Sequence, residues 1–465
     1  MSRQALEAWC LWSILVLISL CVVASRQEGL NNVLLVSFDG FRWDYVDRVP
    51  TPNFHSLMGK GVCVEHVENV YITKTFPNHY SLVTGLYAES HGIVANEMYD
   101  PDINQTFSMT NMDIYDSVWW NEAVPLWVTN QEMGHRSGAA MWPGSDVKIH
   151  GTYPTHYMLY NVSVPFESRV DQLIGWFTGT DPINFGVLYW EEPDESGHIH
   201  GPESPVMNSV IADIDSKLGY LLQQLKKAAL FDKINLVVTS DHGMAQLSTE
   251  RIIELDKYVP RDLYTLIDNS PVVAILPNEG QFDRVYEDLV NKHPNMTVYK
   301  RGELPDRYHY KDNHRIQPII AEAREGWTIV QNKSGKYMLG NHGYDNKLPS
   351  MQPIFIAHGP AFRKNFTQTS MQSVDLYPLM CHILGVTPAP NNGSLNHVED
   401  LLAEASPHVP GDKGGSTSYA LLFGVLLGTI LVIGFLSVFV KQVTLKQLPT
   451  VSVTNIEIVQ PLLQD

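Results

Sequence analysis

Apolar and polar positions along the chain change period several times, and the changes mark out its elements. Val33–Phe38 is an apolar, β-branched run that ends in Asp39-Gly40, which predicts a buried strand meeting a loop. Residues 52–61 are amphipathic and predict a helix. Short apolar runs at Ala139–Trp142, Phe185–Trp190 and Leu236–Ser240 predict further strands, as do Val272–Leu276, Trp327–Gln331 and Pro353–Ala357. Between them, Val210, Ile211, Ile214, Leu218, Leu221, Leu222 and Leu225 repeat at helical spacing within Pro205–Leu230. A last helix is expected over Asp375–Leu384. Strands alternating with helices give an α/β fold, a mostly parallel central sheet with helices on both faces.

Two apolar segments bracket this region. Leu11–Val23, preceded by Arg3 and followed by Ala24 and Ser25, has the layout of an export signal over residues 1–25. Tyr419–Val440 carries no charge, is long enough to span a bilayer, and is followed by Lys441 and Lys446. The expected organisation is an ectodomain at 26–402, a flexible Pro/Gly/Ser-rich linker at 403–418, a transmembrane helix at 419–440 and a cytoplasmic tail at 441–465. That is a type I single-pass protein of the plasma membrane with an extracellular catalytic domain. Asn104, Asn161, Asn295, Asn332, Asn365 and Asn392 each stand two residues before Ser or Thr, as glycosylation acceptors do in exported chains. Without the signal only Cys63 and Cys381 remain, so disulfides are not the main support of the fold. The two could form one bridge or remain separate buried thiols.

A formal net charge of −18 without a basic stripe excludes a nucleic-acid polymer as partner. A small phosphate ester is compatible, because metal ions supply positive charge that composition does not count. No run of acids with the spacing of a calcium loop occurs, so no calcium site is expected.

The chemistry gathers at strand ends. Asp39 closes one predicted strand, Asp194 and His198 follow another, Asp241-His242 close a third, and His342 lies in Gly340–Asn346. Parallel α/β sheets bind ligands at such ends. In Thr73–Tyr80, Pro77 favours the first turn of a helix and puts the Thr75 hydroxyl at its N-terminus, a place suited to an anion. Six Asp and His side chains with one threonine oxygen can divide into two metal sites, and nitrogen with carboxylate oxygen suits zinc. Two ions can hold the attacking and leaving oxygens of a displacement at phosphorus. Each piece also has an ordinary reading: a capping threonine, an Asp-Gly turn, a helix-capping acid, a loop histidine. Asp241-His242 at a buried strand end is the hardest to read that way, since unpartnered burial is costly. His79 is read as supporting the turn.

Ser37–Arg42, Thr73–Tyr80, Ser90–Asn96, Glu191–His198, Ser240–Gly243 and Asn341–Asn346, in this order and spacing, resemble the ectonucleotide pyrophosphatase/phosphodiesterase family of the alkaline phosphatase superfamily. The resemblance implies an alkaline-phosphatase-like fold and a two-zinc hydrolase of extracellular nucleotides, with NAD or diadenosine polyphosphates as candidate substrates. It implies that Asp39, Thr75, Asp241 and His242 hold the zinc that activates Thr75, and that Asp194, His198 and His342 hold the second. It further implies a covalent threonine-nucleotidyl intermediate and a phosphate-oxygen contact from Asn96. Phe76 and Tyr189 would sandwich the nucleobase, with Tyr160 a third aromatic. The cysteine-rich and calcium-binding modules of larger members are missing. A choline-ester phosphodiesterase is the alternative within the enzymes, and a glycosylated receptor or adhesion protein is the alternative outside them.

Overall fold

A computed structural model describes residues 32–109, 112–333 and 337–403, all within a compact unit that runs through Ala403. Eight strands form the main sheet: β1 (Val33–Phe38), β2 (Val62–Glu68), β3 (Ser137–Ala140), β4 (His156–Met158), β5 (Phe185–Trp190), β6 (Asn235–Thr239), β7 (Phe355–His358) and β8 (Phe366–Gln372). Their order is β8-β2-β7-β6-β1-β5-β3-β4. All six residues of β1 are buried because both faces are covered. Val33 and Leu35 join one apolar cluster, while Leu34, Val36 and Phe38 join the other. This two-sided burial is why β1 reads as a continuous apolar run rather than an alternation.

Helices α1 (Pro52–Lys60), α2 (Thr75–Thr84), α3 (Phe166–Thr178), α4 (Asp194–His200), α5 (Val206–Lys227) and α6 (Leu376–Leu384) supply most of the covering. The apolar stripe of α5, from Met207 through Leu225, packs with α1 and α3 against one face. Helices α2 and α6 cover the other. A separate four-stranded sheet, in the order Tyr264–Asp268, Val272–Pro277, Ile319–Ala323, Met296–Lys300, is antiparallel throughout and has its own core.

The expectation of a mostly parallel sheet needs a limited correction, because the main sheet is mixed: seven strands share one direction and one opposes them. Strand β7 runs antiparallel to both neighbours, β6 and β2. The apolar run 353–357 carries no sign of direction, but the chain before it does. Strand β7 begins nine residues after Asn346, the end of the segment holding His342, which lies at the carboxyl ends of the other strands. A return to the far edge would need a crossover longer than that.

The expected membrane anchoring is corrected as well. No helix among the described residues is long and apolar enough to cross a membrane. The plasma-membrane, single-pass assignment therefore finds no support in the fold. The run 419–440, the linker before it, the tail after it and the signal at 1–25 lie outside the described residues. Cys63 and Cys381 are both free thiols, so no bridge joins them.

Candidate active site

Loops at one end of the main sheet bring the expected residues together. Asp39 follows β1, Asp241 and His242 follow β6, and Asp194 opens α4 just beyond β5. Gly40 sits at φ +68°, and a Cβ there would lie 3.0 Å from the Asp194 Cα. Glycine both permits the turn and lets the two acidic loops approach. The Asp194 N–H donates to the Asp39 carbonyl at 3.0 Å. Thr75 is the first residue of α2, with Pro77 in the first turn. Thr73 ties this loop to the His342 segment, its hydroxyl donating to the Tyr344 carbonyl at 3.0 Å and accepting from the Gly343 N–H at 2.9 Å.

Two clusters result. In the first, His242 Nε2 stands 2.9 Å from Asp241 Oδ2, 3.4 Å from Asp39 Oδ1 and 3.4 Å from Thr75 Oγ1. In the second, Asp194 Oδ2 faces His198 Nε2 at 3.3 Å and Asp194 Oδ1 faces His342 Nε2 at 3.4 Å. The clusters adjoin through the His242 and His342 rings, stacked with centroids 3.4 Å apart. Each set of Asp and His atoms lies within 4.8 Å of one another, close enough to share an ion.

The hydrogen bonds around the clusters fix which atoms face inward. His242 Nδ1 donates to the Gly243 carbonyl, His198 Nδ1 to the Gly340 carbonyl and His342 Nδ1 to the Thr73 carbonyl, at 2.8 to 2.9 Å. Carbonyls only accept, so all three rings carry a proton on Nδ1 and turn Nε2 to the cluster, where the neutral ring would offer a lone pair to an ion. Asp39 Oδ1, Asp194 Oδ1 and Asp241 Oδ2 are buried and accept no hydrogen bond. Three orphaned carboxylate oxygens facing three imidazole Nε2 atoms are a donor set that fits divalent cations, and the N/O mixture fits zinc.

Electrostatics separates the acids. Burial, with the charges of Asp241 and Asp194, pushes the Asp39 carboxyl well up. Burial also acts on Asp241 and Asp194, but the positive charge of the facing histidines outweighs it and holds both well below the usual range, while, against burial, those acids push His242 and His198 up. Burial, helped by the neighbouring His242, drives His342 well down, which keeps its ring neutral. His79 does support the turn. Its Nδ1 donates to the Thr75 carbonyl at 2.9 Å and lies 3.3 Å from Asp241 Oδ2.

A third group, Asp100, Asp102 and His314, is close enough to bind metal but differs in kind. Asp100 Oδ2 already takes the Arg315 guanidinium at 2.8 Å and His314 at 3.0 Å. A side-chain cation occupies the place an ion would take.

Beside Thr75 opens a cleft of about 610 Å³, counting its mouth, lined by Phe76, Tyr160 and Tyr189 together with Trp120, Trp142 and Asp146. Tyr189 is pinned by its hydroxyl, which donates to Asp39 Oδ2 at 2.6 Å. Phe76 packs edge-on to Phe107. Asn96 Oδ1 accepts the Phe76 N–H at 2.9 Å, which anchors the Asn96 amide beside Thr75. Lys74, the residue before Thr75, turns away into a buried ion pair with Asp268 Oδ2 at 2.6 Å. Trp120, Trp142 and Asp146 were missed. Nothing in the sequence separates them from core residues, since they come to the cleft through tertiary packing alone. Five of the six sequon asparagines are exposed and Asn295 is half-buried. At Asn161 the side chain accepts from its own Ser163, N–H and hydroxyl alike.

Against known proteins, the family described as type I phosphodiesterase / nucleotide pyrophosphatase matches residues 33–345. The chain is 58% identical over 466 residues to ectonucleotide pyrophosphatase/phosphodiesterase family member 5 of Homo sapiens, covering 97% of this chain and 98% of that protein. It is 50% identical over 398 residues to the bis(5'-adenosyl)-triphosphatase of Homo sapiens, covering 84% and 87%. Among solved structures, an inactive form of the murine family member 5 in complex with AMP superposes with a TM-score of 0.80 at 63% identity. The match spans 80% of this chain and 100% of that one.

Proposed function

We propose, since this chain belongs to the type I phosphodiesterase / nucleotide pyrophosphatase family, that it hydrolyses phosphodiester and pyrophosphate bonds of nucleotides with Thr75 as nucleophile and two zinc ions as cofactor. The observation that carries this reading is the Thr75 hydroxyl at the edge of two adjoining Asp/His clusters with three orphaned carboxylate oxygens. Nucleotide substrates are supported by the relatives, one of which is a bis(5'-adenosyl)-triphosphatase while another was solved with AMP. Diadenosine polyphosphates and NAD are the candidates.

Asp39, Asp241 and His242, with the Thr75 oxygen, would hold one ion, and Asp194, His198 and His342 the other. Bound there, the two ions supply the positive charge that acidifies a hydroxyl and offsets charge on a phosphoryl group. Thr75 Oγ1 attacks phosphorus as the bond to the leaving group breaks, and a threonine-nucleotidyl ester forms. Water then displaces Thr75 Oγ1 and releases a nucleoside monophosphate. Asn96 offers its side-chain amide to a phosphate oxygen as charge develops. Phe76 and Tyr160 are the walls for a nucleobase. Tyr189, anchored to Asp39, backs the cleft and steadies that carboxylate.

The test follows release of AMP from bis(5'-adenosyl) triphosphate and NAD, with zinc and after chelation. Thr75→Ala should lose at least about a thousand-fold in rate while still binding zinc. Acid quenching of the wild type should leave AMP on the peptide holding Thr75. A folded protein that binds no zinc would remove the reading.

A further inference from the structure

In the antiparallel sheet, residues 268–271 turn between the strands Tyr264–Asp268 and Val272–Pro277. The turn is held from within that sheet, which has its own core. Ser270 Oγ accepts the Ile329 N–H at 3.0 Å, and the Pro271 carbonyl accepts the Ala323 N–H at 2.9 Å. From this seat the turn reaches the loops that carry Thr75 and His342. Asp268 Oδ2 accepts from Lys74 Nζ at 2.6 Å, and the Asn269 carbonyl accepts from the same ammonium at 3.1 Å. The Ser270 carbonyl accepts from Asn341 Nδ2 at 3.2 Å, while Asn341 Oδ1 accepts the His342 N–H at 2.9 Å. Lys74 immediately precedes Thr75, and Asn341 immediately precedes His342. The fit is close, since a Cβ on Gly343 would lie 2.9 Å from Pro271 Cδ and 3.3 Å from Lys74 Cε. The two loops are also joined to each other, His342 Nδ1 donating to the Thr73 carbonyl at 2.8 Å. Three segments far apart in sequence thus close a triangle, with one corner set in a separate sheet.

We propose that the turn 268–271 is the positioning element that sets the separation of the two ion sites, with Asp268 acting through Lys74 on Thr75 and Ser270 acting through Asn341 on His342. The inference rests on the two-ion reading above and gives the turn no contact with substrate. Neither Thr75 nor His342 stands on a strand of the main sheet, so that sheet does not fix their separation by itself. Two ions hold the attacking and leaving oxygens only at a set spacing. A misplacement of about 1 Å between reacting groups costs on the order of a hundredfold in rate. A buried ion pair adds little net stability over an apolar contact, but its hydrogen bonds hold one geometry. Beside the nucleophile, that geometry is what the pair contributes.

The test uses the zinc-loaded full chain and two variants. Lys74→Met with Asp268→Leu exchanges the ion pair for an apolar contact, and Asn341→Leu cuts the other tie. Urea unfolding should show the paired replacement keeping most of the wild-type stability. In both variants kcat for bis(5'-adenosyl) triphosphate should nonetheless fall at least about tenfold, with KM within about twofold of the wild type. Competition with a chromophoric chelator should show one of the two zinc affinities reduced about tenfold. Because both ties hold one spacing, combining all three substitutions should cost little more than the worse variant alone. A folded variant of either kind with wild-type kcat and wild-type zinc affinities overturns the proposal. So does a loss confined to KM, or losses that multiply on combination. Should the paired replacement not fold, Asn341→Leu decides by the same readouts. A wild type that binds two zinc ions but cleaves nothing counts against the catalytic reading and leaves the zinc affinities to judge the turn. A wild type that binds no zinc removes both.

Discussion

Tyr189 shows how one side chain can be asked two things at once. Its ring lines the cleft and its hydroxyl holds an Asp39 oxygen at 2.6 Å. The expectation from sequence was stacking. The hydrogen bond argues that support of the acid matters more, because partners of metal-holding carboxylates fix their direction and raise affinity. Tyr189→Phe keeps the ring and removes only that bond. Zinc affinity, measured by competition with a chromophoric chelator, should fall roughly ten- to a hundredfold, with AMP binding at saturating zinc little altered. The opposite pattern would return Tyr189 to the stacking role. The sequence puts Tyr189 on a predicted strand, but only the third dimension shows its hydroxyl turned onto Asp39.

Between elements, the loop before α2 is joined to the antiparallel sheet by Lys74 and Asp268, both nearly inaccessible. Removing one partner strands the other, so Lys74→Met should destabilise by about 3–5 kcal/mol in urea unfolding. Lys74→Met with Asp268→Leu should recover most of that loss. In the same sheet Glu322 is pushed up from 4.5 to about 7, by burial first and by Asp345 next, against the Tyr308 hydroxyl and Arg307. The folded chain then holds this proton more tightly than the unfolded one. Its contribution is fully present below about pH 4.5 and lost as pH rises through about 7. Glu322→Gln should flatten that part of the stability profile and raise stability at pH 8 by on the order of 2 kcal/mol. These joints also mark what the sequence conceals. β1, β5, β6, α1, α5 and α6 were legible because burial on both faces, or on one helical stripe, writes a period into the chain. The direction of β7 was not, since an apolar run reads the same either way. Nor were β2, whose Glu65 and His66 break its apolar pattern, and the turn of Lys74 toward Asp268, a contact across nearly two hundred residues.

Across the folded region as a whole, the site gathers donors over some three hundred residues, from Asp39 to His342. Zinc bound only by the folded form should stabilise it by about 2.7 kcal/mol at a hundred times its dissociation constant. Chelation should therefore lower the melting temperature by a few degrees, and zinc but not magnesium should restore it. The same long reach governs how the chain is made. Strand β1 is the central strand, yet its partners β5 and β6 are translated roughly 150 and 200 residues later. At roughly 5–20 residues per second, β1 emerges on the order of ten to thirty seconds before its first partner exists. During that interval Val33–Phe38, apolar on both sides and free of charge, is an adhesive segment in an unfinished chain. The strand that organises the finished molecule is thus its main liability during synthesis, and a shielding chaperone has most to offer on the ribosome, before residue 185 appears.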